Sequence, residues 1–173
     1  MLTFYNRTLY KRANRRFPFF SYFCKKRMST IRITKEFRFE GAHALQDYDG
    51  KCRHIHGHSY RLFVTLKGSP LQEKGSPKNG MVVDFGDLKR IVNRFIVDPF
   101  DHALLLRGDA PLKEEISSAY QNVIVLDFQP TCENLAIYFA GLLRENLPPQ
   151  TELHSIRLYE TPTSYVEWLA SEN

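Results

Sequence analysis

Between Ile31 and Phe39 the chain alternates: Ile31, Ile33, Phe37 and Phe39 fall on one face, Arg32, Thr34, Glu36 and Arg38 on the other. The pattern returns from Ser59 to Lys67, where Tyr60, Leu62, Val64 and Leu66 share a face. Successive side chains of a strand point to opposite sides, so period two over this length reads as a strand with one buried face. Such a face needs a covering layer, and two amphipathic stretches supply one. Asp84 stands at an N-cap position ahead of the stripe Phe85, Leu88, Val92, Phe95 and Ile96. Pro130 and Thr131 open a second helix, with Leu135, Tyr138, Phe139, Leu142 and Leu143 buried and Pro148 and Pro149 ending it. Residues 68–80 read as a turn-rich loop, and Val123 to Phe128 as a short apolar run after a polar loop. Two short strands, about 153–160 and 164–168, close the chain. The order strand, strand, helix, helix, strand, strand predicts an α+β sandwich, with helices on one face of an antiparallel sheet.

A length of 173 residues fits one domain. No apolar run approaches the roughly 18 residues of a membrane-spanning helix, so no membrane partner is expected. Cys24, Cys52 and Cys132 are odd in number and irregularly spaced, which argues against a disulfide framework and for a reducing, cytoplasmic setting. The net charge of +5 hides an asymmetry. Residues 1–28 carry eight Lys or Arg, no acid, and eight of the 22 Phe and Tyr, which leaves 16 basic against 19 acidic residues beyond them. The remainder is mildly acidic, so the basic total is no argument for a nucleic-acid partner. Segment 1–28 is expected to be a basic aromatic leader, over-extended or dispensable, in preference to a tail with an interaction role, although a transit peptide shares its Arg-rich, acid-poor composition. Met28 precedes the first regular pattern, and residues 29–173 are expected to form the single domain.

The densest chemical constellation is Cys52, His54, His56, Gly57 and His58. On an extended chain His56 and His58 point to the same side and can present their rings to one metal ion. Gly57 between them lets the backbone bend or pack closely. His43, at the end of the first strand, is the candidate third ligand, and three imidazoles with an open position is a catalytic zinc pattern. His54 shares the period of His56, so spacing does not exclude it. Cys52 reads equally as a small buried hydrophobe or a fourth ligand. Asp101 next to His102 suits an oriented imidazole for proton transfer, or a helix-end Asp beside an exposed His. Glu160 continues the apolar face of Ile156 and Leu158, where a carboxylate needs a partner: a Lys or Arg, or the N–H edge of a guanidine-like ligand.

Taken together, Phe39-Glu40-Gly41-Ala42-His43, Cys52-x3-His56-Gly57-His58, Gly80 to Lys89, Asp101-His102, Pro130-Thr131-x-Glu133-Asn134 and Tyr159-Glu160-Thr161 resemble the 6-pyruvoyltetrahydropterin synthase family. Within it they are most similar to the bacterial 6-carboxytetrahydropterin synthase branch of queuosine biosynthesis. The resemblance spans about residues 31–168 and excludes the leader. It implies a tunnelling fold, a four-stranded antiparallel sheet backed by two helices, whose subunits join into a barrel as a homo-oligomer, most readily a hexamer of two trimers. It implies Zn(2+) on His43, His56 and His58, Cys52 as the catalytic thiol, and Asp101 with His102 as a dyad lent by a neighbouring subunit. Glu160 takes the position of the pterin anchor, and Thr131 and Glu133 fall in a pocket-forming motif. The implied substrate is 7,8-dihydroneopterin triphosphate, with Lys51, Arg53 and Arg107 as candidate phosphate contacts. The biopterin-route synthase of the same family and a zinc-stabilised pterin-binding protein without turnover are the alternatives.

Overall fold

Strands β1 (Ile31–His43) and β2 (His56–Gly68) run antiparallel over their whole length, with Ile31 opposite Gly68 and His43 opposite His56. The computed structural model describes residues 29–111 and 113–173; the segment 1–28 read as a leader lies outside the described residues. β5 (Glu152–Thr161) pairs antiparallel with β2, and β6 (Ser164–Leu169) with β5. These are the four expected strands, and both long ones extend beyond their alternating segments to carry the histidines.

The sheet nevertheless has six strands, ordered β4-β3-β1-β2-β5-β6. β3 (Ala103–Arg107) lies parallel to β1, and β4 (Val123–Leu126) parallel to β3, so the expected four-stranded antiparallel sheet is corrected to a mixed one. The reason is physical. Leu105 and Leu106 of β3 are both buried although they point to opposite faces, which erases the alternation that betrays a half-buried strand. Parallel neighbours also need a crossover, and the stretch read as a polar loop supplies it with α3 (Lys113–Ala119).

The Asp84 carboxylate accepts the Gly86 N–H at 2.6 Å and starts α1 (Phe85–Val92). The helix runs on through a π-helical turn (Asn93–Val97) into the short α2 (Asp98–Phe100). Leu88, Val92 and Ile96 are fully buried. Phe85, expected in the same stripe, is instead 48% exposed, with the Lys35 ammonium 6.0 Å from its ring centre. Thr131 caps α4 (Cys132–Asn146), its hydroxyl accepting the Asn134 N–H at 3.3 Å. No helix among the described residues is long and apolar enough to cross a membrane.

Both main helices bury their stripes on one sheet face, against Phe37, Phe39, Leu62, Val64, Ile156 and Leu158. Phe139 of α4 meets Phe39 edge-on at 6.0 Å and Phe100 at 4.9 Å, while Phe39 stacks on Tyr60 at 5.0 Å. This aromatic cluster fixes the helix over the end of the sheet where the histidines lie. Phe139→Ala is expected to lower stability by about 3–5 kcal/mol in urea unfolding, the usual result of emptying a large core site; a change near zero would mean that α4 is not fastened here.

Candidate functional site

The β1–β2 register places His43 directly across from His56, and period two brings His58 to the same side. The ring centres lie 4.6 Å (His43–His56), 5.1 Å (His43–His58) and 4.9 Å (His56–His58) apart. One nitrogen from each ring lies within 4.8 Å of the others. Gly57 permits the approach, since a Cβ there would stand 3.3 Å from the Gly41 carbonyl oxygen.

Backbone carbonyls orient two of the rings. His43 Nδ1–H donates to the Pro130 carbonyl at 2.6 Å, and His56 Nδ1–H to the His54 carbonyl at 2.8 Å. Burial, the largest influence on His43, holds its pKa down at about 4, so the ring is neutral near pH 7. With its proton on Nδ1, the neutral His43 ring turns an Nε2 lone pair toward His56 Nε2, 3.1 Å away. A cation shared between ring nitrogens suits that separation. Among the described residues the buried His58 Nε2 has no hydrogen-bond partner, and burial likewise lowers the pKa of that ring. The three residues fit a metal ion: bonds of about 2.0–2.1 Å in tetrahedral geometry separate nitrogen ligands by about 3.3 Å. His54 serves through its carbonyl, which orients His56, a role that side-chain spacing does not reveal.

Glu160 reaches this group from β5. Its Oε1 lies 3.6 Å from His43 Nε2 and 3.7 Å from His58 Nε2, and the side chain is 27% exposed. Among the described residues the side chains facing its carboxylate are thus these two imidazoles rather than a Lys or Arg. The Tyr60 hydroxyl is buried beside Glu160, and burial together with the neighbouring Glu160 charge pushes its pKa up. On the helix side a cavity of about 430 Å³ opens, lined by Cys52, Thr131, Glu133 and Glu160 along with Tyr48, Gln129 and Tyr165. Four residues singled out in the sequence therefore share one cavity, and Gln129 and Tyr48 join them without a sequence signal. Cys132 borders it too, but its Sγ is turned toward the Leu158 carbonyl at 3.5 Å, and burial pushes this thiol up to about 12. Cys52 is the accessible thiol of the two.

Asp101 and His102 lie elsewhere. Asp101 Oδ1 accepts the Glu40 N–H at 2.9 Å, the main reason its carboxyl is held below the usual range, and Oδ2 lies 3.1 Å from His102 Nδ1. His102 adopts a left-handed backbone (φ 58°) that leaves its side chain 77% exposed. His102 opens on a separate cavity of about 700 Å³, bordered by Glu40, Ser59 and Tyr120 and not by Cys52. Of the candidate phosphate contacts, Arg107 is committed to Asp47 and Asp109, and Arg53 rests 3.4 Å from His54.

A mixed sheet with its two main helices on one face, three imidazoles converging from paired strands, and a carboxylate and a thiol in the adjoining cavity define an α+β protein with a candidate metal centre. The family model for 6-pyruvoyl tetrahydropterin synthase matches residues 32–170, and the chain belongs to that family. It is 39% identical over 142 residues to 6-carboxy-5,6,7,8-tetrahydropterin synthase of Haemophilus influenzae, covering 80% of this chain and 98% of that one. Among solved structures it is similar to an uncharacterised protein of Wolinella succinogenes (25% identity, TM-score 0.69, 82% and 99% covered). It is also similar to 6-pyruvoyl tetrahydropterin synthase of Caenorhabditis elegans (25% identity, TM-score 0.60, 83% and 97% covered).

Metal analysis of the purified protein should give about one ion per chain, as three histidine ligands with an open position require. His56→Ala should lose most of it, and near-full occupancy in that variant would overturn the assignment.

Proposed function

We propose that the chain is a zinc-dependent 6-carboxytetrahydropterin synthase of the queuosine pathway. It would convert 7,8-dihydroneopterin triphosphate and water to 6-carboxytetrahydropterin, acetaldehyde and triphosphate. The observation that carries the proposal is the placement of Cys52 and Glu160 on one cavity whose carboxylate touches the histidine group. The name of the Haemophilus influenzae relative selects the carboxy product.

His43, His56 and His58 would hold the zinc, which supplies Lewis acidity toward the hydroxyl oxygens of the substrate side chain. Glu160 offers two carboxylate oxygens to the 2-amino and N3–H donors of the pterin, a bidentate charge-assisted contact. Thr131 and Glu133 wall the same cavity. Cys52 moves a proton at the side-chain carbons, and His102, oriented by Asp101, relays a second. Because the dyad opens away from Cys52 within its own chain, the complete site takes Asp101 and His102 from a neighbouring subunit. β4 and β6 form the two edges of the sheet, and pairing between copies would remove such edges. The assembly that accommodates this is a hexamer of two trimers.

The likeness to the Caenorhabditis elegans synthase keeps one rival, loss of triphosphate with the side chain retained. Incubation with dihydroneopterin triphosphate and separation of products by mass decides: acetaldehyde with the carboxylated pterin is expected, and a pterin retaining all three side-chain carbons assigns the rival. Glu160→Gln is expected to keep its metal while losing about 2–5 kcal/mol of pterin affinity, because one acceptor becomes a donor facing a donor. Titration with a non-reacting pterin checks this, and unchanged affinity would move the pterin pocket elsewhere.

A further inference from the structure

The loop between β1 and β2 carries Cys52, and its contacts converge on the segment that opens α4. The Gln129 side chain lies along the backbone of Gln46: Nε2 donates to the Gln46 carbonyl at 2.6 Å, and Oε1 accepts the Gln46 N–H at 3.2 Å. One carboxamide thus satisfies both backbone groups of one residue, as a paired strand would. Beside it, the Leu45 N–H donates to the Cys52 carbonyl at 3.0 Å and closes the loop onto the cysteine. On the other side Asp47 holds a left-handed backbone (φ 63°) and pairs with Arg107 at 2.8 Å. The anchor itself is fixed: the Gln129 carbonyl accepts from Asn134 Nδ2 at 2.9 Å and from the Thr131 N–H at 2.8 Å. The next carbonyl, that of Pro130, accepts from His43 Nδ1 at 2.6 Å. Residues 129–131 therefore grip the cysteine loop with an amide, orient a metal-site histidine with a carbonyl and cap α4 with a hydroxyl.

We propose that Gln129 is a positioning residue whose amide registers the Cys52 thiol against the histidine centre, both being tied to the same short segment. The proposal rests on the reading of Cys52 as a proton-transfer group. The grip needs a donor and an acceptor at the end of a two-methylene stem. Glu keeps the length but sets an anionic oxygen against the Gln46 carbonyl, and Met keeps the bulk while removing both hydrogen bonds.

The test uses the metal-loaded full chain carrying Cys24→Ser, so that Cys52 is the reactive thiol and Cys132 remains buried. Gln129→Met and Gln129→Glu should be alkylated at Cys52 by iodoacetamide faster than the parent, with metal content retained. Their kcat should fall by about 10- to 100-fold, the effect of misplacing a reacting group by an ångström or less, with KM for the pterin triphosphate little changed. A parental alkylation rate or a parental kcat in both variants overturns the proposal. Metal loss in step with kcat overturns it as well, since Gln129 would then act through His43. Cys52→Ala, assayed alongside, separates the two readings: full turnover there removes the catalytic role of Cys52, while the alkylation rates still report whether the amide holds the loop.

Discussion

The antiparallel register of β1 and β2 is the constraint on which the rest of the molecule depends. A slip of one residue would turn every side chain of one strand to the opposite face, taking Phe37 and Phe39, or Tyr60, Leu62 and Val64, out of the core. The same slip would carry His43 away from His56 and His58. Hydrophobic burial and metal-site geometry therefore select the same pairing. The site needs no separate device to align its strands, because the energy of the core already does so.

Alignment brings the three rings together, and backbone carbonyls decide what they can do. The Pro130 and His54 carbonyls each take an Nδ1–H, so Nε2 of His43 and of His56 turns inward. Burial keeps His43 neutral, which a nitrogen ligand requires. Both carbonyls belong to irregular segments beside regular elements. Their positions follow from the Thr131 cap of α4 and from the start of β2, so the ordinary termini of a helix and a strand tune the centre.

Much of this was legible in the sequence because it rests on local rules. Alternation marked β1 and β2, Asp84 and Thr131 marked the helix starts, and His56-Gly57-His58 on an extended chain marked a face shared by two histidines. Glu160 could be placed on the buried side from Ile156 and Leu158 alone. What escaped depends on tertiary context. β3 and β4 lack alternation, since β3 is buried on both faces, and α3 is too short to show a stripe. The commitment of Arg107 to Asp47 spans 60 residues, and the grip of Gln129 on Gln46 spans 83. Neither leaves a trace in local pattern or composition.

The separation of the thiol from the Asp101–His102 pair follows from the same period of two that built the strands. His43 is on the helix side of β1 and the Glu40 side chain is on the other, while the Glu40 N–H, in the plane of the sheet, holds Asp101 just ahead of β3. Cys52 lines the cavity beside the N-terminus of α4, on the helix side. His102 lines the cavity that Glu40 and Ser59 border, across the sheet. No rotation of a side chain carries a group through a hydrogen-bonded sheet, and His102 already sits in a left-handed turn that aims it outward. A chain that uses both groups in one reaction must therefore present them to different copies of itself. On the proposed reading, assembly completes the active site for this geometric reason.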